Sequence, residues 1–145
     1  MYRRPAYSLL ELVFTLTITG IALGVAVPSG LHGIDVLSVR AARSVIVSMS
    51  SRARALGIAR GNGELVLDEA GSVVEIRSNG AVFQRYDLLD RHRVALTLEN
   101  STRSRASLEY NAIGLGRLAG ITVRVTRRSA TGGVTFSTYG RPRLW

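Results

Sequence analysis

The segment AYSLLELVFTLTITGIALGVAVP, Ala6–Pro28, decides how the start of this chain is interpreted. A helix needs roughly 20 apolar residues to cross a bilayer, and the run from Tyr7 to Val27 is about that long. Arg3 and Arg4 precede it, and basic flanks keep a terminus on the cytoplasmic side. The segment therefore predicts a membrane-spanning helix.

Glu11 is the one carboxylate in this run, and it separates three interpretations. The segment could be an uncleaved anchor, a secretory signal cleaved after Ala26, or a signal cleaved before Tyr7. A carboxylate inside a membrane costs about 2.5–3.5 kcal/mol on insertion scales, so it needs a partner. Cleavage before Tyr7 creates an amine that a neighbouring copy of such a helix could offer to Glu11, and this favours the third interpretation.

The sequence Tyr7–Leu12, YSLLEL, resembles the F-T-L-I-E-L start of type IV pilins and type II secretion pseudopilins. The resemblance implies that a prepilin peptidase cleaves between Ala6 and Tyr7 and methylates the new amine of Tyr7. It also implies that Glu11, at the fifth mature position, guides assembly with other pilin or pseudopilin subunits. Ala6 departs from the glycine that the family usually has before the cleaved bond.

An amphipathic pattern follows Pro28 and predicts that the helix continues to about residue 60. Pro28 lies at the twenty-second mature position, where the family also has a proline. Gly61 and Gly63 provide a helix stop. The predicted buried stripe consists of Ile34, Leu37, Ala41, Val45, Met49, Ala53 and Leu56.

Short segments with period-two alternation predict strands in the rest of the chain. A hairpin turn is predicted at Ser129–Gly133 and a loop at Gly114–Gly120. Three predicted strands, expected to be half buried, lie around Leu65–Leu67, Val74–Ile76 and Val82–Tyr86. The others lie around Val94–Leu98, Ile121–Val125 and Val134–Tyr139.

These elements predict an α+β fold in which a long N-terminal helix, with a membrane-spanning first half, packs on antiparallel sheets. The expected organisation is a leader at 1–6, a transmembrane and assembly helix at 7–30, its amphipathic half at 31–62, and a β-sheet domain at 63–145. The segments SSRARALGIARGNGELVL, LEYNAIGLGRLAGITVRV and VTFSTYGRPR resemble the GspH/FimT branch of minor pilins and pseudopilins.

The closing residues Gly140, Arg141, Pro142 and Arg143 resemble the GRxR tail of FimT-type minor pilins that bind DNA. Gly140 permits a turn and Pro142 favours an extended residue before it. Arg141 and Arg143 would then project together and contact two phosphates without sequence selectivity. Residues expected to widen this surface are Arg124, Arg127 and Arg128, with Tyr139 and Trp145 as stacking or, more often at chain ends, packing residues.

Composition narrows the function classes further. The formal net charge is +9, every basic residue is Arg, and the chain contains no Cys. It therefore has no disulfide and no thiolate site, and we find no metalloprotease or phosphate-loop motif. We expect no enzymatic activity, no cofactor and no metal.

The sequence thus predicts a single-pass bacterial inner-membrane subunit whose C-terminal domain lies in the periplasm or is exposed on a filament. The filament belongs to a type IV pilus or a type II secretion machine, and DNA is a further expected partner. The alternatives are a GspH-type pseudopilin that does not bind DNA and a soluble exported domain cleaved after Ala26.

Overall fold

The computed structural model describes residues 8–99, 101–117 and 120–145, without the side chains of residues 25–30. The chain divides between Ile34 and Asp35 into an N-terminal unit and a C-terminal unit. One helix, α1 (Leu9–Arg60), contributes to both units. The predicted long N-terminal helix is therefore confirmed, and its assignment continues through Pro28.

The rest of the C-terminal unit is built mainly from antiparallel strands. Their bounds are β1 (Asn62–Asp68), β2 (Val73–Ser78), β3 (Ala81–Asp87), β4 (Ala95–Leu98), β5 (Arg105–Asn111), β6 (Gly116–Arg117), β7 (Ile121–Arg127), β8 (Ala130–Phe136) and β9 (Pro142–Leu144). A short helix, α2 (Leu88–His92), lies between β3 and β4. One sheet has the strand order β3-β2-β1-β5-β6 and the second has the order β4-β7-β8-β9. The predicted α+β class is confirmed.

The second half of α1 shares one hydrophobic core with both sheets. Its buried apolar residues are Val39, Ala42, Ile46, Met49 and Ala53. Gly57 continues this row, because a Cβ there would lie only 2.7 Å from the carbonyl oxygen of Tyr110. A glycine at this position lets the helix approach β5 closely.

The predicted stripe on α1 was wrong at its start. Ile34 and Leu37 are exposed, whereas the buried row begins at Asp35 and continues through Val39 and Ala42. The prediction counted only apolar residues and therefore omitted the buried Asp35, so the predicted stripe was displaced around the helix. The displacement ends at Met49, which belongs to both rows.

Two strand predictions also need correction. The second of the predicted hairpin strands begins at Ala130, and the turn consists of Arg128 and Ser129, because Arg127 pairs with Ala130. Arg128 has a φ of 50°, the left-handed conformation of a tight turn. The predicted half burial is wrong for β3, which is the outermost strand of its sheet and mostly exposed, and for β2, which is an inner strand and buried at every residue except Arg77.

The sequence prediction missed α2, β5, β9 and the two-residue strand β6, which lies within the predicted loop Gly114–Gly120 and pairs with β5. Asp87 caps α2 by accepting a hydrogen bond from the Asp90 amide at 2.8 Å, a recognisable start signal. In β5 the alternation of Ala106, Leu108 and Tyr110 was also visible. Strand β9 carries Pro142, which argues against a central strand but is compatible with its observed place at an edge.

Candidate functional site

The N-terminal candidate site is the start of α1. Ser8 precedes the helix, and the Glu11 amide donates hydrogen bonds to the hydroxyl of Ser8 at 3.2 Å and to its carbonyl at 3.1 Å. The order Ser8-Leu9-Leu10-Glu11 matches the S-x-x-E pattern of a capping box. Glu11 therefore also suits the helix start, where a carboxylate interacts favourably with the helix dipole.

The hydroxyl groups that follow Glu11 are satisfied within the helix. Thr15 donates to the carbonyl oxygens of Glu11 and Leu12, and Thr17 and Thr19 each donate 2.7 Å bonds to the carbonyl four residues earlier. A hydroxyl bonded in this way needs no water. These threonines are therefore compatible with an apolar environment.

The apolar side chains of this part of α1 are exposed. The larger ones are Leu9, Leu10, Leu12, Val13, Phe14, Leu16, Ile18, Ile21 and Leu23. Among the residues whose side chains are described, no helical stretch is both long and apolar enough to cross a membrane. The processing residues Ala6 and Tyr7 lie outside the described residues, so the cleavage remains a prediction.

The C-terminal candidate site begins with a turn at Gly140. This residue has a φ of +74°, and a Cβ on it would lie 2.7 Å from Cε1 of Tyr110. Its amide donates to the Ser137 carbonyl at 2.8 Å, while the Arg141 amide donates to the Ser137 hydroxyl at 3.1 Å. Both its conformation and its close neighbour therefore require glycine at this position.

Tyr110 stabilises this turn through a hydrogen bond. Its hydroxyl donates to the carbonyl oxygen of Gly140 at 3.3 Å, and burial raises the pKa of this phenol. The Gly116 amide donates to the Tyr139 carbonyl at 3.2 Å, which ties the turn to β6 of the other sheet. The predicted tail is thus an ordered part of the fold.

After the turn, the tail forms the edge strand β9. Arg143 lies opposite Thr135 of β8, and both Arg141 and Arg143 are exposed. The edge strand therefore holds Arg143 on an exposed position, and Arg141 lies directly before the strand and is also exposed.

Trp145 extends this exposed surface. Its indole Nε1 donates to the Thr135 hydroxyl at 3.1 Å, and its backbone pairs with Gly133 through two hydrogen bonds. A Cβ on Gly133 would lie 2.3 Å from the indole, so the ring covers that glycine. Trp145 is both a packing residue, as predicted for a chain end, and about half exposed.

Arg124 reaches the same outer face from β7. Its guanidinium lies 5.9 Å from the centre of the Trp145 ring and forms an ion pair with Glu99. The face therefore combines Arg124, Arg143 and an indole, with Arg141 just before the strand.

Arg127 and Arg128 do not belong to this surface, although the sequence grouped them with it. Arg127 Nε lies 2.8 Å from Asp35 Oδ1, and its Nη1 donates to the Ser38 hydroxyl at 2.5 Å and to the His92 carbonyl at 2.9 Å. Arg128 lies 3.6 Å from the other Asp35 oxygen. These contacts join α1, α2 and the β7–β8 turn.

The position of Arg127 along the sheet leads to the same conclusion. Arg127 pairs with Ala130, whereas Arg143 pairs with Thr135, five residues further along β8. At about 3.4 Å per residue the two rows are roughly 17 Å apart. Arg127 therefore has a structural role at the opposite end of β8 from the tail.

Asp35 is the partner of Arg127 that the sequence did not predict. It is almost fully buried and forms an ion pair with Arg127. A buried carboxylate requires such a partner. A single aspartate on the predicted polar side of a helix gives no signal of this in the sequence.

The described residues contain no group of three or more His, Cys, Asp or Glu that could hold a metal ion.

Comparison with solved structures identifies the fold. The type IV minor pilin FimU of Pseudomonas aeruginosa is similar at a TM-score of 0.57 and 15% identity, over 74% of this chain and 87% of that one. The fold is that of a type IV pilin-like protein. The minor pseudopilin EpsH of the Vibrio cholerae type 2 secretion system matches this pilin-like fold at a TM-score of 0.56 and 11% identity, over 74% and 96% of the two chains.

At the sequence level, no family model and no curated protein matches this chain. The structural matches confirm the predicted pilin-like fold over about three quarters of the chain. Both a pilus subunit and a secretion subunit are among the similar structures, so the fold accommodates either role.

Proposed function

We propose that this protein is a minor pilin or pseudopilin that enters a filament of a type IV pilus or a type II secretion machine through α1. The observation that carries the proposal is the start of α1, where exposed apolar side chains surround one carboxylate on a pilin-like fold. Exposed apolar surface of this extent needs a membrane or other subunits to cover it.

Glu11 and Tyr7 have complementary roles in this proposal. A prepilin peptidase cleaves between Ala6 and Tyr7 and methylates the amine of Tyr7. Before assembly, the subunit is a single-pass protein of the inner membrane, with its C-terminal unit in the periplasm. During assembly, Glu11 pairs with the amine of a neighbouring subunit, because a carboxylate in an apolar environment is stabilised by an opposite charge.

The mature N-terminus provides the direct test. Mass spectrometry of the protein purified from the native membrane should show a chain that begins at methylated Tyr7. A chain that begins at Val27 would instead show a soluble domain released by cleavage after Ala26. A chain that begins at Met1 would show an uncleaved anchor, and either of these results overturns the proposal.

Assembly is tested by removing the charge of Glu11. Glu11→Gln should leave cleavage intact but reduce incorporation into sheared filaments by at least tenfold, measured by quantitative immunoblot. Asp90→Asn is the matched control, since it removes an exposed carboxylate from α2 of the C-terminal unit. Equal incorporation of both variants would contradict the assembly role of Glu11.

The machine is assigned from the phenotype of a strain in which this gene is deleted. Complementation with the gene, which should restore the phenotype, is the control. Loss of pili or of natural transformation identifies a pilus subunit of the FimT type. Loss of exoprotein export identifies a GspH-type pseudopilin, which carries no expectation of DNA binding.

A DNA-binding role is the second candidate, and the geometry of β9 favours it. Arg141 and Arg143 are both exposed close in the chain to the half-exposed Trp145, and the described contacts include no ion pair with either arginine. Guanidinium groups pair with phosphates, and an exposed indole can stack on a base. This surface would bind DNA without reading its sequence.

Mobility shift of the full chain in nonionic detergent tests this role. Arg141→Gln with Arg143→Gln should abolish binding, whereas Arg91→Gln with Arg93→Gln removes the same charge elsewhere and should retain it. If the two tail arginines neutralise two phosphates, they contribute about −1.8 to the slope of log affinity against log salt. Absence of binding by the wild type at low salt would exclude the role.

A further inference from the structure

A cleft between α1 and β9 of the C-terminal unit combines two arginines with an apolar wall. Its volume is about 430 Å³, and it is lined by Arg40, Arg43, Ser44, Val47 and Leu144. The four helix residues recur at three- and four-residue spacing, so they lie on one face of α1. Leu144 closes the cleft from the edge strand β9. The volume falls within the roughly 300–1,000 Å³ of ligand sites.

Arg43 is held in place by the second sheet. A Cβ on Gly132 of β8 would lie 3.0 Å from both Cδ and Nη1 of Arg43, so the absence of a side chain at Gly132 makes room for the guanidinium. The Nε atom of Arg43 is buried and has no hydrogen-bond partner among the described residues. The fold therefore positions this charged group and leaves a donor unsatisfied.

No carboxylate from the described part of the chain lines the cleft. None of the ion pairs among the described residues includes Arg40 or Arg43. Two cations three residues apart on a helix also repel each other. A carboxylate would relieve the repulsion and accept a charge-assisted hydrogen bond from each arginine.

The apolar wall and the net charge narrow the choice of ligand. Val47 and Leu144 offer contacts to hydrocarbon beside the two arginines, which suits a carboxylate flanked by apolar side chains better than a hydrated phosphate. A second copy of this chain also carries a net charge of +9 and would be repelled. The complementary partner is an acidic chain of a different kind.

We propose that this cleft binds a glutamate or aspartate side chain, flanked by apolar residues, of a different and acidic subunit in the same filament. The inference rests on the proposed function for the identity of the partner as a filament subunit. The binding chemistry depends only on the cleft and is measured on the isolated full-length chain.

Equilibrium dialysis of the full chain in nonionic detergent, against the acetylated and amidated peptide Ala-Ala-Leu-Glu-Leu-Ala-Ala, tests the inference. The wild type should bind this peptide at least tenfold more tightly than its Gln analogue. Trp145 is the only tryptophan and follows Leu144 directly, so its emission should change with the same saturation curve. Equal affinity for the two peptides would overturn the inference.

Variants then locate the binding. Arg40→Gln with Arg43→Gln should lose the preference for Glu, and so should Ser44→Phe, which fills the cleft and retains both arginines. Arg103→Gln with Arg117→Gln is the charge-matched control, because both arginines are exposed and lie outside the cleft. Circular dichroism must show that each variant is folded.

Three further results overturn the inference. An equal loss of the preference for Glu in the control variant indicates nonspecific attraction, and competition by inorganic phosphate at the peptide concentration indicates a phosphate site. The third is a Ser44→Phe variant that keeps the full preference for Glu. None of them bears on the proposed function, which the mature N-terminus at Tyr7 tests separately. A chain that begins at Val27 but still binds the peptide would support the binding chemistry of the cleft. It would overturn only the proposed function, and with it the identity of the partner as a filament subunit.

Discussion

The two halves of α1 have the same secondary structure and opposite surroundings. Ile18 in the first half is 62% exposed, whereas Ile46 in the second half is fully buried against the sheets. Both segments are apolar enough to need cover. The chain's own strands bury residues of the second half, whereas the described apolar side chains of the first half are exposed; under the proposed function a membrane or other subunits cover them. Matched substitutions in the two halves test this contrast.

The largest expected difference is between the two acidic residues. Asp35→Ala removes a buried carboxylate and leaves the partly buried Arg127 without its ion-pair partner, so it should lower the free energy of unfolding by about 3 kcal/mol. Glu11→Ala affects an exposed side chain and should cost about 1 kcal/mol or less. Urea unfolding of the full chain in detergent, followed by Trp145 fluorescence, measures both. A loss of stability for Asp35→Ala as small as that for Glu11→Ala would show that the ion pair between Asp35 and Arg127 does not stabilise the fold.

The two isoleucines give an identical substitution in two environments. Ile46→Ala opens a cavity in the core and should cost about 2–5 kcal/mol. Ile18→Ala should change the same unfolding transition by about 0.5 kcal/mol or less, because its side chain packs on no sheet. A large loss for Ile18→Ala would show that the first half is also buried within the folded chain.

Two glycines extend the comparison to the backbone. Gly140→Ala forces a residue with a side chain into φ +74° against Tyr110 and should cost about 1–3 kcal/mol. Gly20→Ala places its Cβ in open space and should be neutral or stabilise the helix by up to about 1 kcal/mol. Differential scanning calorimetry compares them. A neutral Gly140→Ala would contradict the turn that positions β9.

The smallest effect is a pH dependence at Tyr110. Burial raises the pKa of Tyr110, so its contribution to stability is complete below its unfolded pKa of about 10 and is lost as pH rises through the folded value. The stability advantage of wild type over Tyr110→Phe should therefore shrink above about pH 10. Urea unfolding at pH 8 and 10.5 measures this change.

The exposed Tyr139 supplies the control for that experiment. Tyr139→Phe removes a hydroxyl from a residue that is 64% exposed, and it is measured at both pH values as the matched control. A parallel change in both variants would contradict the specific role of the buried phenol.

Local patterns predicted the elements whose own residues specify them. Strand β7 has apolar Ile121, Val123 and Val125 on one face, so its position and burial were predicted from alternation alone. Strand β9 was missed because a strand containing Pro142 forms only when an edge is available, here provided by β8. The displaced stripe on α1 has a similar cause, since Asp35 is buried only because Arg127 reaches it.

The candidate sites divide in the same way. The motif around Glu11 is contiguous, so the sequence alone determined the candidate assembly residue and the class of fold. The binding face near the tail is not contiguous. Strand pairing joins Arg124 to Trp145 and Arg143, and it places Arg127 at the opposite end of the sheet with Asp35.

The sequence by itself determined a long helix with an apolar first half, the carboxylate at its start, and a β-rich C-terminal half. Periodicity and local turn chemistry act between neighbours, and neighbours are visible in a sequence. Only the tertiary structure decided which arginines are paired and which are open, and that Arg40, Arg43 and Leu144 line one cleft. Those contacts join residues far apart in the chain, so they depend on packing and not on local pattern.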